Sequence, residues 1–181
     1  MTRILIVKTS SMGDVIHNLP IVTDIQAHVP NAVIDWVVEE AYADLVSLHP
    51  GVTRVLPVAW RRWRKSLTSW KTWSEMRDFR YGLQRDTYDY ILDTQGLIKS
   101  AVIVKLAHGR TKCGFDARVA RESWAARAYD AKFVIPRNAH AVERNRWLAG
   151  AALEYYPDEH RLDYGLQLPD TPPAGDPFAV C

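Results

Sequence analysis

Short apolar runs alternate with segments of helical period along most of this chain, and the alternation predicts its elements. Residues 4–7, Ile-Leu-Ile-Val, are continuously apolar, the pattern of a parallel strand buried on both faces. Residues 14–28 follow with Val15, Leu19, Val22 and Ile25 on one helical face. Pro20 interrupts that face, so the spacing predicts a kink, or a short first turn and then a new helix opening near Pro20. Further strands are expected at 32–38, 52–58, 88–93, 111–115 and 132–135. The third should be half exposed or near an edge, because its apolar residues alternate only weakly. Helices are expected at 41–48, 74–84, 97–106 (ended by Gly109), 118–128 and 139–153, the last capped by Asn138. Residues 60–71 have no secure period and read as a loop or short helix.

Strands alternating with helices predict an α/β fold, a doubly wound parallel, Rossmann-like sheet. Residues 1–168 would form this domain. Residues 169–177, with Pro169, Pro172, Pro173, Pro177 and Gly175, have the composition of a linker. Residues 178–181 turn apolar again, as if a second domain began there.

Composition narrows the class. With 48% hydrophobic and 24% charged residues, disorder and fibre are excluded. No run approaches the roughly 18 apolar residues of a membrane span, and the first strand begins without a secretory leader. A cytoplasmic location is expected. Cys113 and Cys181 lie too far apart to signal a zinc site or a disulfide framework. Net charge is only +2, yet seven Lys or Arg stand against two acids between Arg61 and Arg80. A local anionic partner fits that imbalance.

Candidate chemistry starts at the loop after the first strand, Lys8-Thr9-Ser10-Ser11-Met12-Gly13-Asp14. In an open α/β sheet, ligands bind beyond the carboxyl ends of the strands. Asp14 could serve as a general base there, or, with Ser11 three residues earlier, simply cap a helix. Gly13 permits close backbone approach, and the helix start offers N–H donors. Neither a dinucleotide nor a Walker glycine pattern is present. With the common strand order 3-2-1-4-5, the loops at Ser10–Gly13 and Thr94–Gly96 should flank one crevice, which makes Gln95 and Lys99 candidate lining residues beside Ser10 and Ser11. Trp60-Arg61-Arg62-Trp63-Arg64-Lys65 combines guanidinium groups for phosphate or carboxylate with indoles for a sugar or a membrane interface. A single-stranded nucleic acid would use the same mixture, but no RNA-binding signature accompanies it, and no nucleic-acid partner is expected. His140 and Glu143 are spaced for a metal but have no third ligand, so no metal is assigned. His17 is given only a supporting place.

Six segments carry a resemblance: residues 8–20, the basic stretch at 60–65, Asp93-Thr94-Gln95-Gly96-Leu97-Ile98-Lys99-Ser100-Ala101, Ala107-His108-Gly109, Ala120-Arg121-Glu122, and His140-Ala141-Val142-Glu143-Arg144. Together they resemble the bacterial lipopolysaccharide heptosyltransferases of glycosyltransferase family 9, nearest to those adding the first heptose. The resemblance implies the N-terminal, acceptor-binding half of a GT-B enzyme. It implies inverting transfer of L-glycero-D-manno-heptose from ADP-heptose to a Kdo sugar of Kdo-lipid A, with no metal or other cofactor. Asp14 would be the base, and Arg61, Arg62, Arg64, Lys65 and Arg121 would hold the anionic acceptor. The donor would bind a C-terminal domain beyond residue 181, leaving this chain inactive alone, and the enzyme would sit peripherally on the cytoplasmic face of the inner membrane. A heptosyltransferase acting one sugar later, or a non-catalytic acceptor-binding domain, are the alternatives.

Overall fold

Each strand expected from the sequence is present in the computed structural model, which describes residues 1–167. The strands are β1 (Arg3–Val7), β2 (Val33–Glu39), β3 (Arg54–Val58), β4 (Tyr88–Asp93), β5 (Gly109–Phe115) and β6 (Ala131–Phe133). All neighbours pair in parallel, in the order β3-β2-β1-β4-β5-β6. β3 is an edge, as its weak alternation predicted. The order reverses between β1 and β4, where Val7 stands in register with Asp93.

The helices are α1 (Met12–Ile16), α2 (Pro20–His28), α3 (Ala43–Ser47), α4 (Trp60–Trp63), α5 (Trp70–Gln84), α6 (Ile98–Leu106) and α7 (Ala141–Leu153). Successive side chains of β1 point to opposite faces of the sheet. Leu5 and Val7 join a core with Trp63, Leu83, Ile103 and Val104 from α4, α5 and α6. Ile4 and Ile6 join a second core with Val22, Val46 and Ala149 from α2, α3 and α7. A sheet covered on both faces is what continuous apolar strands require.

Pro20 splits the first helical segment as expected, standing at the start of α2. Four expectations need correction. α5 begins at Trp70 rather than at residue 74. Gly109 opens β5 instead of merely ending α6. α7 is capped by His140, whose Nδ1 accepts the Val142 N–H at 3.3 Å, and not by Asn138. Residues 118–128 form no α-helix. Asp116 Oδ1 accepts from Arg118 N–H at 3.0 Å and Arg118 Nε at 2.7 Å, a local turn that competes with helix formation. Only a 3-10 segment, Ser123–Ala128, remains. The expected linker at 169–177 and the segment at 178–181 lie outside the described residues.

Candidate active site

The carboxyl ends of β1 and β4 are laced together. Gln95 Oε1 accepts from Thr9 N–H at 2.6 Å and Thr9 Oγ1 at 2.8 Å, and Gln95 Nε2 donates to Ser10 O at 2.6 Å. Lys99 Nζ donates to Ser10 Oγ at 2.6 Å, and Lys8 Nζ donates to Thr94 O at 2.9 Å. Asp93 shapes the second loop: its Oδ1 accepts from Gln95 and Gly96 N–H at 2.9 and 3.1 Å, and Tyr129 donates to its Oδ2 at 2.7 Å. Gly96 takes φ +65° in that turn, a conformation that favours glycine. The two loops flank one crevice, as the strand order predicted. Gln95 and Lys99 meet Ser10 there, but Gln95 is 5% exposed and spends its amide on the loop.

A pocket of about 370 Å³ opens beside this lacing, lined by Lys8, Thr94 and Gln95 after the strand ends, by Asp14 of α1, and by Arg121, Arg137, Arg144 and Asn145. Four cations face one carboxylate. Asp14 lies three residues after the N-cap of α1, and its Oδ2 accepts from Ser11 N–H at 2.9 Å and Ser11 Oγ at 3.1 Å. Arg121 Nη1 stands 3.8 Å from the same oxygen. Burial pushes the Asp14 carboxyl up, but the Ser11 N–H, the Lys8 ammonium, the Ser11 hydroxyl and the Arg121 guanidinium together hold it below the usual carboxylate range. Asp14 is therefore ionised at neutral pH, and half-buried at the pocket rim.

Lys8 is nearly enclosed, and burial pulls its ammonium down to about 8 against the raising influence of Asp14 and Asp93. Burial, with Arg137 and Arg121 nearby, also lowers the Arg144 guanidinium. Arg144 donates to Val119 O at 3.2 Å and lies 4.8 Å over the Phe115 ring, while its buried Nε and the Thr94 hydroxyl have no hydrogen-bond partner among the described residues. Arg137 is fixed by Ala120 O at 2.7 Å. Donors held in place with unspent capacity suit an oxygen-rich anion.

Of the expected acceptor residues, Arg121 lines this pocket; its sequence neighbours are otherwise engaged, Arg118 with Asp116 and Glu122 with Ile98 N–H at 2.5 Å. Arg61, Arg62, Arg64 and Lys65 lie on and just after α4, outside the pocket lining. Arg62 is spent: it bonds Glu40 at 2.9 Å and Glu75 at 2.6 Å. Arg61 lies 5.7 Å over the Tyr42 ring and bears electrostatically on Lys99. Arg64 and Lys65 are exposed and form no ion pair among the described residues. Trp63 is core, whereas Trp70 and Trp73 are exposed. Gly13 has no atom within 4 Å of the place a Cβ would take, so nothing in the chain itself demands glycine there. His17 meets the His140 ring edge-on at 5.2 Å, and Glu143 accepts from His140 N–H at 3.1 Å, so that pair closes the start of α7. The sequence reading gives Lys8, Arg137 and Arg144 no role of their own, although Lys8 opens the candidate loop and Arg144 closes the last of the resembling segments.

Comparison with known proteins places this geometry. A family model described as glycosyltransferase family 9 (heptosyltransferase) matches residues 76–180. The chain is 48% identical over 165 residues to lipopolysaccharide heptosyltransferase 1 of Escherichia coli (strain K12), covering 91% of this chain and 51% of that protein. It is 45% identical over 183 residues to the protein of the same name from Pseudomonas aeruginosa PAO1, covering 98% and 51%. Among solved structures, E. coli heptosyltransferase WaaC with ADP superposes with a TM-score of 0.88 at 48% identity, over 91% of this chain and 51% of that one. E. coli ADP-heptose lps heptosyltransferase II shares the fold, with a TM-score of 0.66 at 23% identity over 94% and 47%. The chain thus spans about half the length of the curated relatives it matches.

Proposed function

Since this chain belongs to glycosyltransferase family 9, we propose that it is the acceptor side of a lipopolysaccharide heptosyltransferase, with ADP-heptose as donor and a Kdo sugar of Kdo-lipid A as acceptor. One observation carries the reading: an ionised carboxylate, Asp14, stands at the rim of a pocket walled by Lys8, Arg121, Arg137 and Arg144. The name and 48% identity of the E. coli relative supply the sugar and the lipid.

In this scheme the cations hold the acceptor's carboxylate and phosphate groups, which positions a hydroxyl near Asp14. Asp14 takes the hydroxyl proton as the oxygen attacks the anomeric carbon. The new C–O bond forms while the bond to the diphosphate breaks, and ADP leaves with the electron pair, inverting the anomeric centre. A carboxylate held this firmly ionised is always available but is a weak base. No metal or organic cofactor enters the scheme. Arg61, Arg64 and Lys65, with exposed Trp70 and Trp73, would meet the anionic surface of the inner membrane from its cytoplasmic side; no described helix is long and apolar enough to cross it.

The test joins this chain to the C-terminal half of the E. coli relative and follows ADP release from ADP-heptose. Release that requires Kdo-lipid A supports the proposal. Release only with an acceptor that already carries heptose would move the chain to the later step, and no release from a folded fusion would refute the assignment.

A further inference from the structure

Asp14 sits on a helix too short to hold it in place. α1 has five residues, fewer than a helix needs to persist on its own. Val15 is its one buried residue, and Ser11, Met12 and Gly13 are exposed. Both bonds to Asp14 Oδ2 come from Ser11, through its N–H and its hydroxyl, so the carboxylate is placed by whatever places Ser11. Ser10 does this, being 8% exposed where Ser11 is open to solvent. Ser10 O and Ser11 N–H belong to one planar peptide unit, and what turns one turns the other. Gln95 Nε2 holds that carbonyl at 2.6 Å, and Lys99 Nζ holds the Ser10 hydroxyl at 2.6 Å. Gln95 is itself fixed at both ends. Its Oε1 accepts twice from Thr9, and its main-chain N–H donates to Asp93, which Tyr129 holds from the other side.

We infer that Gln95 is a positioning residue for Asp14, acting through the Ser10–Ser11 peptide unit, with Lys99 as a second tie on Ser10. The inference rests on the reading of Asp14 as the base. Two observations set it apart from a plain joint between loops. Gln95 Oε1 already joins the loops through Thr9, and Nε2 goes to the one carbonyl that shares its peptide unit with a donor to Asp14. Lys99 has the Glu39 and Glu122 carboxylates near enough to act on it, yet its ammonium is bonded to the Ser10 hydroxyl. A path of hydrogen bonds therefore runs from the buried end of β4 to the carboxylate at the pocket rim. Misplacing a reacting group by about 1 Å costs about 10²-fold in rate, so a path that fixes the carboxylate bears directly on turnover.

The test measures kcat and acceptor KM on the fusion with the E. coli C-terminal half, and follows the Asp14 carboxyl by NMR titration of the chain itself, assigned against Asp14→Asn. Gln95→Met keeps the length and loses the bonds. It should lower kcat about 10- to 10²-fold with acceptor KM within about twofold. Lys99→Met and Ser10→Ala each cut the second tie alone, and they carry the test if Gln95→Met fails to fold. Each should lower kcat about three- to tenfold, and the double variant should fall no further than either single one, since both cut the same bond. Lys99→Arg, which can still donate to Ser10, should keep most of the rate. In every slowed variant the Asp14 carboxyl should titrate above its wild-type value, because the Ser11 donors no longer oppose burial as fully while Lys8 and Arg121, the charges facing it, are unchanged. Variants that melt earlier but leave the Asp14 titration and kcat as they were overturn the inference and make the ties a joint between loops. A loss confined to KM overturns it as well, and additive losses for Lys99→Met and Ser10→Ala would remove Lys99 from the path. The reading of Asp14 as base fails separately, by an Asp14→Asn fusion with intact kcat; the titration then still decides whether Gln95 places the carboxylate.

Discussion

Replacing Asp14 with asparagine separates a catalytic carboxylate from a helix cap. Asparagine keeps the shape and can still accept from Ser11 N–H through Oδ1, so the 2.9 Å bond at the start of α1 has a substitute. What it loses is the charge facing Lys8 and Arg121, 3.8 Å away. Arg121 is largely exposed and its attraction is screened, so the fold should lose about 1 kcal/mol or less, a drop of about 2–4 °C in Tm for a domain of this size. A general base contributes about 10²–10⁴-fold, equivalent to about 3–5 kcal/mol of barrier. In the fusion enzyme, kcat should fall by that factor with acceptor KM within a few-fold. The two effects also differ in pH. The folded carboxyl titrates below the ordinary Asp value of about 3.9, so its contribution to stability is present above that value and disappears as pH falls through the folded value. Wild type and variant should converge in Tm under acid while differing in kcat at neutral pH. A variant with near-wild-type kcat would remove Asp14 from the mechanism and leave it a cap.

Three further outcomes are expected. Gly13→Ala should leave Tm unchanged or raise it, since the added methyl meets open space within a helix and alanine is favoured there by about 0.5–1 kcal/mol; transfer should nevertheless weaken, and an unchanged acceptor KM would show that no substrate approaches this backbone. The pocket's affinity for inorganic phosphate, read by calorimetry, should decline as pH rises through about 8, where Lys8 loses its proton, while the fold gains stability from there up to the ordinary lysine value of about 10.4 because the unfolded chain binds the extra proton; Lys8→Met should flatten both profiles. Arg62→Ser should hardly change binding to vesicles carrying Kdo-lipid A, since Arg62 is held by Glu40 and Glu75, whereas Arg64→Ser with Lys65→Ser should weaken it; equal losses would mean that those ion pairs open on binding.

The scaffold was legible because β1, β2 and β4 are apolar runs that admit only burial, and because Pro20 leaves few choices at the helix break. With β1 and β4 as neighbours, the strand order alone brings Ser10, Gln95 and Lys99 together. Segments whose backbone is decided by side-chain competition were not legible. Asp116 turns residues 116–120 away from a helix, and His140 displaces Asn138 as cap through a ring nitrogen. That turn also presents the Val119 and Ala120 carbonyls that hold Arg144 and Arg137 at the pocket. In the basic stretch, composition could not divide Arg62, consumed by carboxylates from β2's end and α5, from Arg64 and Lys65, which are exposed.

The lacing of Gln95 to Thr9 and Ser10 also bears on how such chains diverge. The bonds join residues 86 and 85 positions apart, and neither loop can replace the partner it would lose. A lineage that drifts at position 95 strands the Thr9 hydroxyl and amide and the Ser10 carbonyl without water to receive them. Two of the three bonds go to main-chain atoms, so position 9 can change while Gln95 stays, whereas a change at 95 strands the loop whatever stands at 9; position 95 should therefore drift more slowly than position 9.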